Sequence, residues 1–307
     1  MVAERGNIMR DLNISERLFK YSNYILLTLF TITILIPFWY ITVIAFNEGM
    51  DTARGGVYFW PRAFTWDNFI GVFADPLIVR CFFNSFLRIA LLTPLHLLVV
   101  GMAAWAISRK NLVGRKFFVA MFMLSMYVNP GLIPFYLTLA QYRLINNFLV
   151  YILPWLFSTW ELMILVVSIR QIPESLVESA YLDGANDLLL FFKVAVPLTK
   201  ATLATLALFN AVWAWGDWFT GAYYIRTHTK WTIATYLQMV LQRGASIQVR
   251  SAAEAMAMAQ SAEHRVTITE TSLRAATLLV TIAPIVCVYP FLQRYFIHGV
   301  MVGSLKE

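Results

Sequence analysis

Residues 173–197 read Pro-Glu-Ser-Leu-Val-Glu-Ser-Ala-Tyr-Leu-Asp-Gly-Ala-Asn-Asp-Leu-Leu-Leu-Phe-Phe-Lys-Val-Ala-Val-Pro, a polar, net acidic, glycine-punctuated block between two long apolar runs. Pro173 suits the first turn of a helix, where the N–H it lacks would have no partner, and Glu174 complements the positive helix end. Ile172, Leu176, Val177, Ala180 and Tyr181 then fall on one side at helical spacing, with Glu174, Ser175 and Glu178 elsewhere. Asp183-Gly184 is a helix stop, because glycine enters the left-handed conformation at little cost. A second amphipathic stretch, Asn186 to Val196, leads through Pro197 into the next apolar run. The expectation is two short helices joined at Gly184. They form either a rigid knob that seats in a groove of another protein or a pair lying on lipid headgroups.

The surroundings are built for lipid. The chain has 307 residues, 59% hydrophobic and 13% charged, with a mean hydropathy of +0.64; a soluble domain is about a quarter charged. A helix crosses the bilayer with about 20 apolar residues, and the runs at 24–46, 81–107, 117–140, 148–169, 198–225 and 274–297 qualify. The fold class expected is all-α, a polytopic membrane protein of six transmembrane helices with the two-helix block between the fourth and fifth. Pro37, Pro94, Pro130, Pro134, Pro154, Pro284 and Pro290 lie within the runs, where neighbouring helices can satisfy freed carbonyls. The first run is too long for a signal-peptide core and reads as an uncleaved span.

Short loops orient the chain. Ser108–Lys116 carries Arg109, Lys110, Arg115 and Lys116 without an acid and should be cytoplasmic; the loop with only Arg143 should face out. The segment 1–23, with Arg5, Arg10, Arg17 and Lys20, and the tail 298–307 then lie inside. Between them, 24–297 forms the permeation domain, with external loops 47–80 and 226–271 and the block at 173–197 in the cytoplasm. There Glu174, Glu178, Asp183 and Asp187 outnumber Arg170 and Lys193, against the positive-inside habit. The net charge of +7 follows from clusters flanking spans, so nucleic acid is not an expected partner. Cys81 and Cys287 give no metal spacing and read as small hydrophobes.

The block resembles the cytoplasmic coupling loop of binding-protein-dependent ABC importers. That pattern is Glu-Ala-Ala, three residues, Gly, nine residues, Ile, one residue, Leu-Pro. This chain has Glu178-Ser179-Ala180, Gly184, Val194 and Val196-Pro197 at the same spacing. Ala104 to Lys110, Gly114 to Phe118, Gly131 to Pro134, Leu206 to Phe209 and Tyr289 to Phe296 are similar to the carbohydrate branch, in particular the six-span partner of the maltose-type pair that serves oligosaccharides and polysaccharide fragments. The resemblance implies a non-enzymatic transport subunit with no cofactor of its own. ATP and Mg would sit in two partner ATPase subunits, with a second permease and an extracytoplasmic solute-binding protein completing the complex in the bacterial inner membrane. No phosphate loop, His-Glu-x-x-His or nucleophile elbow occurs in the sequence. Glu174, Glu178, Ser179, Ala180, Asp183, Gly184 and Pro197 are the implied ATPase-coupling residues, and the tail Val300–Glu307 is implied to reach the same interface.

Polar groups inside apolar runs mark the expected substrate pathway. Asn210, Trp213, Trp215, Asp217 and Trp218 resemble the family's Trp-Asn-Asp-Trp/Phe motif, with Gly216 in place of Asn. They fit a sugar ring, and fit an interfacial aromatic belt or gate as well. Asn84, Arg88, His96, Asn129 and Glu161 are further candidates, suited as interhelical partners. In 226–271, Arg243, Arg250 and Arg265 are expected to meet the binding protein, and Ser251–Ala262 to be helical. The mild positive balance fits an acidic, alginate-like sugar; a neutral sugar stays open. An ion-coupled secondary transporter would have only Glu161 and Asp217 as intramembrane acids. A membrane-embedded enzyme would need its histidines closer together than His96, His228, His264 and His298 stand in sequence.

Overall fold

The computed structural model describes residues 14–128, 130–247 and 268–301. Every named element among them is helical, and the only strand-type pairing there is an isolated bridge between Asn47 and Phe64. Asn129, Arg250, Arg265, the stretch Ser251–Ala262 and the end of the tail lie outside the described residues. The described residues fall into two compact units. One takes those up to Val72 and those ending at Leu279, the other those from Phe73 to α12 below and from Val280 onward.

In the first unit, α1 (Ile14–Ala45) begins well before the expected residue 24. It is apolar on every side, and its large side chains from Leu18 to Tyr40 are exposed, as in a helix made for lipid or a partner helix. Its end is closed by two asparagines. Asn68 Nδ2 donates to the carbonyls of Ala45 and Asn47, both at 2.9 Å. Asn47 donates to Asp51 and Thr52 and accepts from the Ala63 N–H at 3.0 Å. Both side chains are fully buried. The expected loop 47–80 is therefore organised, with α2 (Gly49–Ala53) and α3 (Asp67–Ala74) within it.

The second unit is arranged on α4 (Pro76–Ser108), which starts at Pro76 rather than near 81 because Asp75 accepts the Leu77 N–H at 2.8 Å and Pro76 takes the first turn. Ile78, Cys81, Ser85, Arg88, Leu92, His96, Val100, Ala104 and Ile107 are buried. Their spacing of three or four residues makes one stripe down the whole helix. The other described helices are α5 (Arg115–Tyr127), α6 (Leu132–Gln141), α7 (Thr159–Ile169), α8 (Glu174–Leu182), α9 (Asp187–Leu198), α10 (Lys200–Gly216), α11 (Phe219–Tyr224), α12 (Ile233–Ile247) and α13 (Glu270–Met301). α9 contains a π turn at Phe191–Ala195. A core of Val100, Trp105, Leu165, Ile169, Val177, Leu190, Phe191 and Leu206 joins α4, α7, α8, α9 and α10. A Cβ on Gly101 would lie 3.0 Å from the Phe191 ring, so the glycine seats that ring against α4.

Three described helices are long and apolar enough to cross a membrane alone: Ser15–Ala45, Pro76–Ser108 and Glu270–Val288. Three bent pairs reach that length only together. They are α5 with α6, the 3-10 stretch Phe148–Trp155 with α7 at 47°, and α9 with α10 at 84°. The apolar run at 198–225 is not one helix. α10 stops at Gly216, Asp217 is extended, and α11 follows, because the Asp217 carboxylate accepts the Thr220 N–H at 3.1 Å and turns the chain. The segment 226–271, expected as an external loop, carries α12 with Ile233, Ala234 and Tyr236 buried.

Asn68→Ala should strand two buried carbonyls at the end of α1, a loss of about 2–4 kcal/mol. Thermal unfolding of the purified protein should show a clear drop, whereas Asp67→Ala next to it should be nearly silent.

Candidate functional site

The residues flanking Gly184 form a closed local structure. Gly184 has φ +83°, its N–H donates to the Tyr181 carbonyl and the Ala185 N–H to that of Ala180, both at 3.0 Å. These are the two bonds of a Schellman closure. The Asn186 side chain then accepts the Leu189 N–H at 2.8 Å and starts α9. Both helices expected around Gly184 are formed, and Asp187 ties them together. Its Oδ1 accepts from the Tyr181 hydroxyl at 2.7 Å and from Trp105 Nε1 at 3.3 Å, which fastens the pair to the end of α4. Donating to that carboxylate holds the Tyr181 phenol above its ordinary pKa, with partial burial adding to the effect.

The Arg109 guanidinium stacks 3.8 Å from the Trp105 ring, and the desolvation there pushes its pKa down against the nearby Tyr181, Asp187 and Glu174. Lys110 pairs with Glu174 at 2.7 Å, but both are exposed, so the pair contributes at most about 1 kcal/mol. A cleft of about 1390 Å³ separates the 109–115 loop from α8. The apolar side of α8 divides. Val177 is buried, with Ile172 and Ala180 packed against the same core, while Leu176 and Tyr181 stand 47% and 43% exposed and Leu182 89% exposed. Glu174, Glu178, Ser179, Asp183 and Pro197 are exposed as well. The block thus offers an apolar tip with an acidic rim.

The intramembrane polar residues face each other rather than open space. Arg88 Nη2 lies 2.7 Å from Asp217 Oδ2, with side chains 0% and 8% exposed. The guanidinium also lies over the rings of Tyr151, at 4.8 Å, and Trp213, at 5.3 Å. Asn84 donates to the carbonyls of Thr229 and Trp231, Asn210 accepts from Thr93 at 2.9 Å, and Trp215 is buried with its Nε1 on the Thr281 carbonyl. His96 pairs with Glu161 at 2.6 Å. Among the candidates, Trp213 and Trp218 retain open ring area, 42% and 37% exposed. Arg243 lies on α12.

Sequence reasoning passed over Ser85, which accepts the Ile233 N–H at 2.8 Å, and Asn146. With φ +58°, Asn146 accepts the Arg226 and Thr227 N–H groups, and its carbonyl accepts from Lys230 Nζ at 2.7 Å. The adjacent asparagines at 146 and 147 were the available sign, since Asn tolerates the left-handed region.

No protein-family model matches the chain. Protein LplC of Bacillus subtilis (strain 168) is 31% identical over 275 residues, 90% of this chain and 90% of that protein. The polygalacturonan/rhamnogalacturonan transport system permease protein YtcP of the same organism is 28% identical, covering 95% of this chain and 99% of that protein. The chain belongs to the sugar ABC transporter permeases. A solved bacterial ABC transporter involved in the import of the acidic polysaccharide alginate contains a chain like this permease. The likeness has a TM-score of 0.83 at 25% identity, over 93% of the permease and 99% of that chain. The family expected from the sequence is thereby confirmed, and the permease is a membrane-embedded transport subunit for sugar import.

Removing one member of the Arg88–Asp217 pair leaves a buried charge, which costs about 3–5 kcal/mol. Arg88→Met should therefore lower thermal stability strongly, and Arg88→Met combined with Asp217→Asn, which removes the charge and keeps the acceptor for the Thr220 N–H, should recover most of it, as a double-mutant cycle in detergent would record.

Proposed function

We propose that this permease imports an acidic oligosaccharide, driven by separate ATPase subunits through the block at 173–197. The third and fourth of six spans are each built from a bent pair and the fifth begins at α10, leaving α9 in the cytoplasmic block; both termini are cytoplasmic, and a second permease completes the passage. α8 and the Gly184 turn dock in an ATPase cleft, with the tail Val300–Glu307 adding to the same interface. The observation that carries this reading is the apolar tip with its acidic rim, held rigid by the Schellman closure and by Asp187. A rigid knob transmits displacement, and it drives the cycle because its contacts differ between the two states of the ATPase pair.

An extracytoplasmic binding protein delivers the sugar, with Arg243, Arg250 and Arg265 as candidate contacts. The choice of sugar class is supported by the alginate importer of similar fold and by the polygalacturonan/rhamnogalacturonan permease, since each of those polymers contains uronates. Trp213 and Trp218 are the candidates for stacking on the sugar, while Asn84, Arg88, Asn210, Trp215 and Asp217 hold the passage wall in place. A neutral sugar is the second reading, supported by the maltodextrin permease MdxG of Bacillus subtilis at 25% identity.

Leu182 is almost fully exposed, so Leu182→Glu should leave the permease folded while ATP-driven uptake by proteoliposomes of the assembled transporter falls at least tenfold. Gly184→Val should do the same by straining the turn. Undiminished uptake in both variants would refute coupling through the knob. With the wild-type complex, an oligouronate should be taken up in preference to a maltodextrin of equal length; the opposite order would reassign the sugar.

A further inference from the structure

His96 touches both sides of a break in a spanning helix pair. The 3-10 stretch Phe148–Trp155 and α7 meet at a 47° bend. Pro154 lies in the last 3-10 turn, and the chain re-enters a helix only when Ser158 caps α7. The break leaves the Trp155 carbonyl without a following turn to serve. His96 Nδ1 lies 2.8 Å from that oxygen. On the other side of the break, His96 Nε2 lies 2.6 Å from Glu161 Oε2, in the first turn of α7.

A carbonyl only accepts, so Nδ1 carries a hydrogen and donates it. The two ring nitrogens are fixed relative to each other, so the imidazole sets the spacing between a main-chain atom of one half and a side chain of the other. The ring has no room to turn away. His96 is 2% exposed, between Leu92 and Val100 on the fully buried stripe of α4. The consequence extends to α10, because the Trp155 ring lies 4.8 Å from that of Trp213, which also carries the Arg88 guanidinium.

We propose that His96 is a positioning residue for transport: it clasps the two halves of the broken helix at one angle, so that the break, Trp155 and Trp213 move as one piece. Its role in the cycle rests on the ATP-driven reading above; the clasp itself does not.

The test uses the assembled transporter with spin labels at Leu149→Cys and Val167→Cys, one exposed position on each half. The background carries Cys287→Ser and keeps the buried Cys81. Pulsed dipolar spectroscopy gives the inter-label distance without nucleotide and with ATP, Mg and vanadate. The wild type should show one narrow distance in each state. His96→Asn retains a donor for the Trp155 carbonyl and loses Glu161, whereas His96→Gln reaches Glu161 and loses the carbonyl. Both should broaden the distribution about twofold, and His96→Ala should broaden it further, with oligouronate uptake falling in parallel.

A residue that merely stabilised the fold would reduce the yield of complex and leave the width unchanged. Wild-type widths in His96→Ala would overturn the proposal, and if that variant does not assemble, wild-type widths in the Asn and Gln variants would do so. Broad distances with normal uptake would overturn the role in transport. Failure of the wild type itself to take up sugar with ATP would count against the coupling reading and leave the distance result standing.

Discussion

Inside lipid a backbone group that leaves its helix finds no water, so every break in a spanning helix must be satisfied by protein. Among the described residues of this permease, α4 supplies partners to several irregular stretches. Asn84 holds the carbonyls of Thr229 and Trp231, Ser85 the Ile233 N–H, Arg88 the extended Asp217 and His96 the Trp155 carbonyl. Apolar members of the buried α4 stripe, Leu92, Val100 and Ala104, fill the spaces between. The irregular stretches at 155–158, 216–218 and 228–232 can exist because one regular helix carries their hydrogen bonds.

This division explains why polar residues on α4 are buried yet do not reach open space. A lone Arg or Asp at such depth is costly; the pair formed by Arg88 and Asp217 is neutral overall and is stacked on Tyr151 and Trp213. The aromatic ring left half open, Trp213, is thus backed by a charge it stacks against. Removing either member of the pair would disturb the shape of the wall before it disturbed any chemistry.

The two-helix block was legible because its signals are local. Gly184, the Asn186 cap and the periodicity of Val177 and Ala180 act within a few residues of one another. The apolar runs were legible as composition, but their breaks were not. Hydropathy summed along a window cannot register that the Trp155 carbonyl is served from His96, or that Asp217 is held from Arg88, far away in the chain. His96, Asn84 and Arg88 stood out as polar residues in lipid-loving runs, yet their partners depend on packing that no spacing encodes. The closure of α1 by Asn47 and Asn68 escaped notice for the same reason, since asparagines after a span look like any loop.

The π turn at Phe191–Ala195 is a helix carrying one residue more than its hydrogen-bonding rows need. One residue corresponds to about 100° of rotation. That surplus lets Phe191 settle over Gly101 while Pro197 and α10 keep their own phase. The block and the membrane-crossing part are consequently indexed separately. A single deletion there would leave composition and hydropathy almost untouched, yet it would turn Asp187 away from Trp105 and present a different face of the knob to whatever receives it.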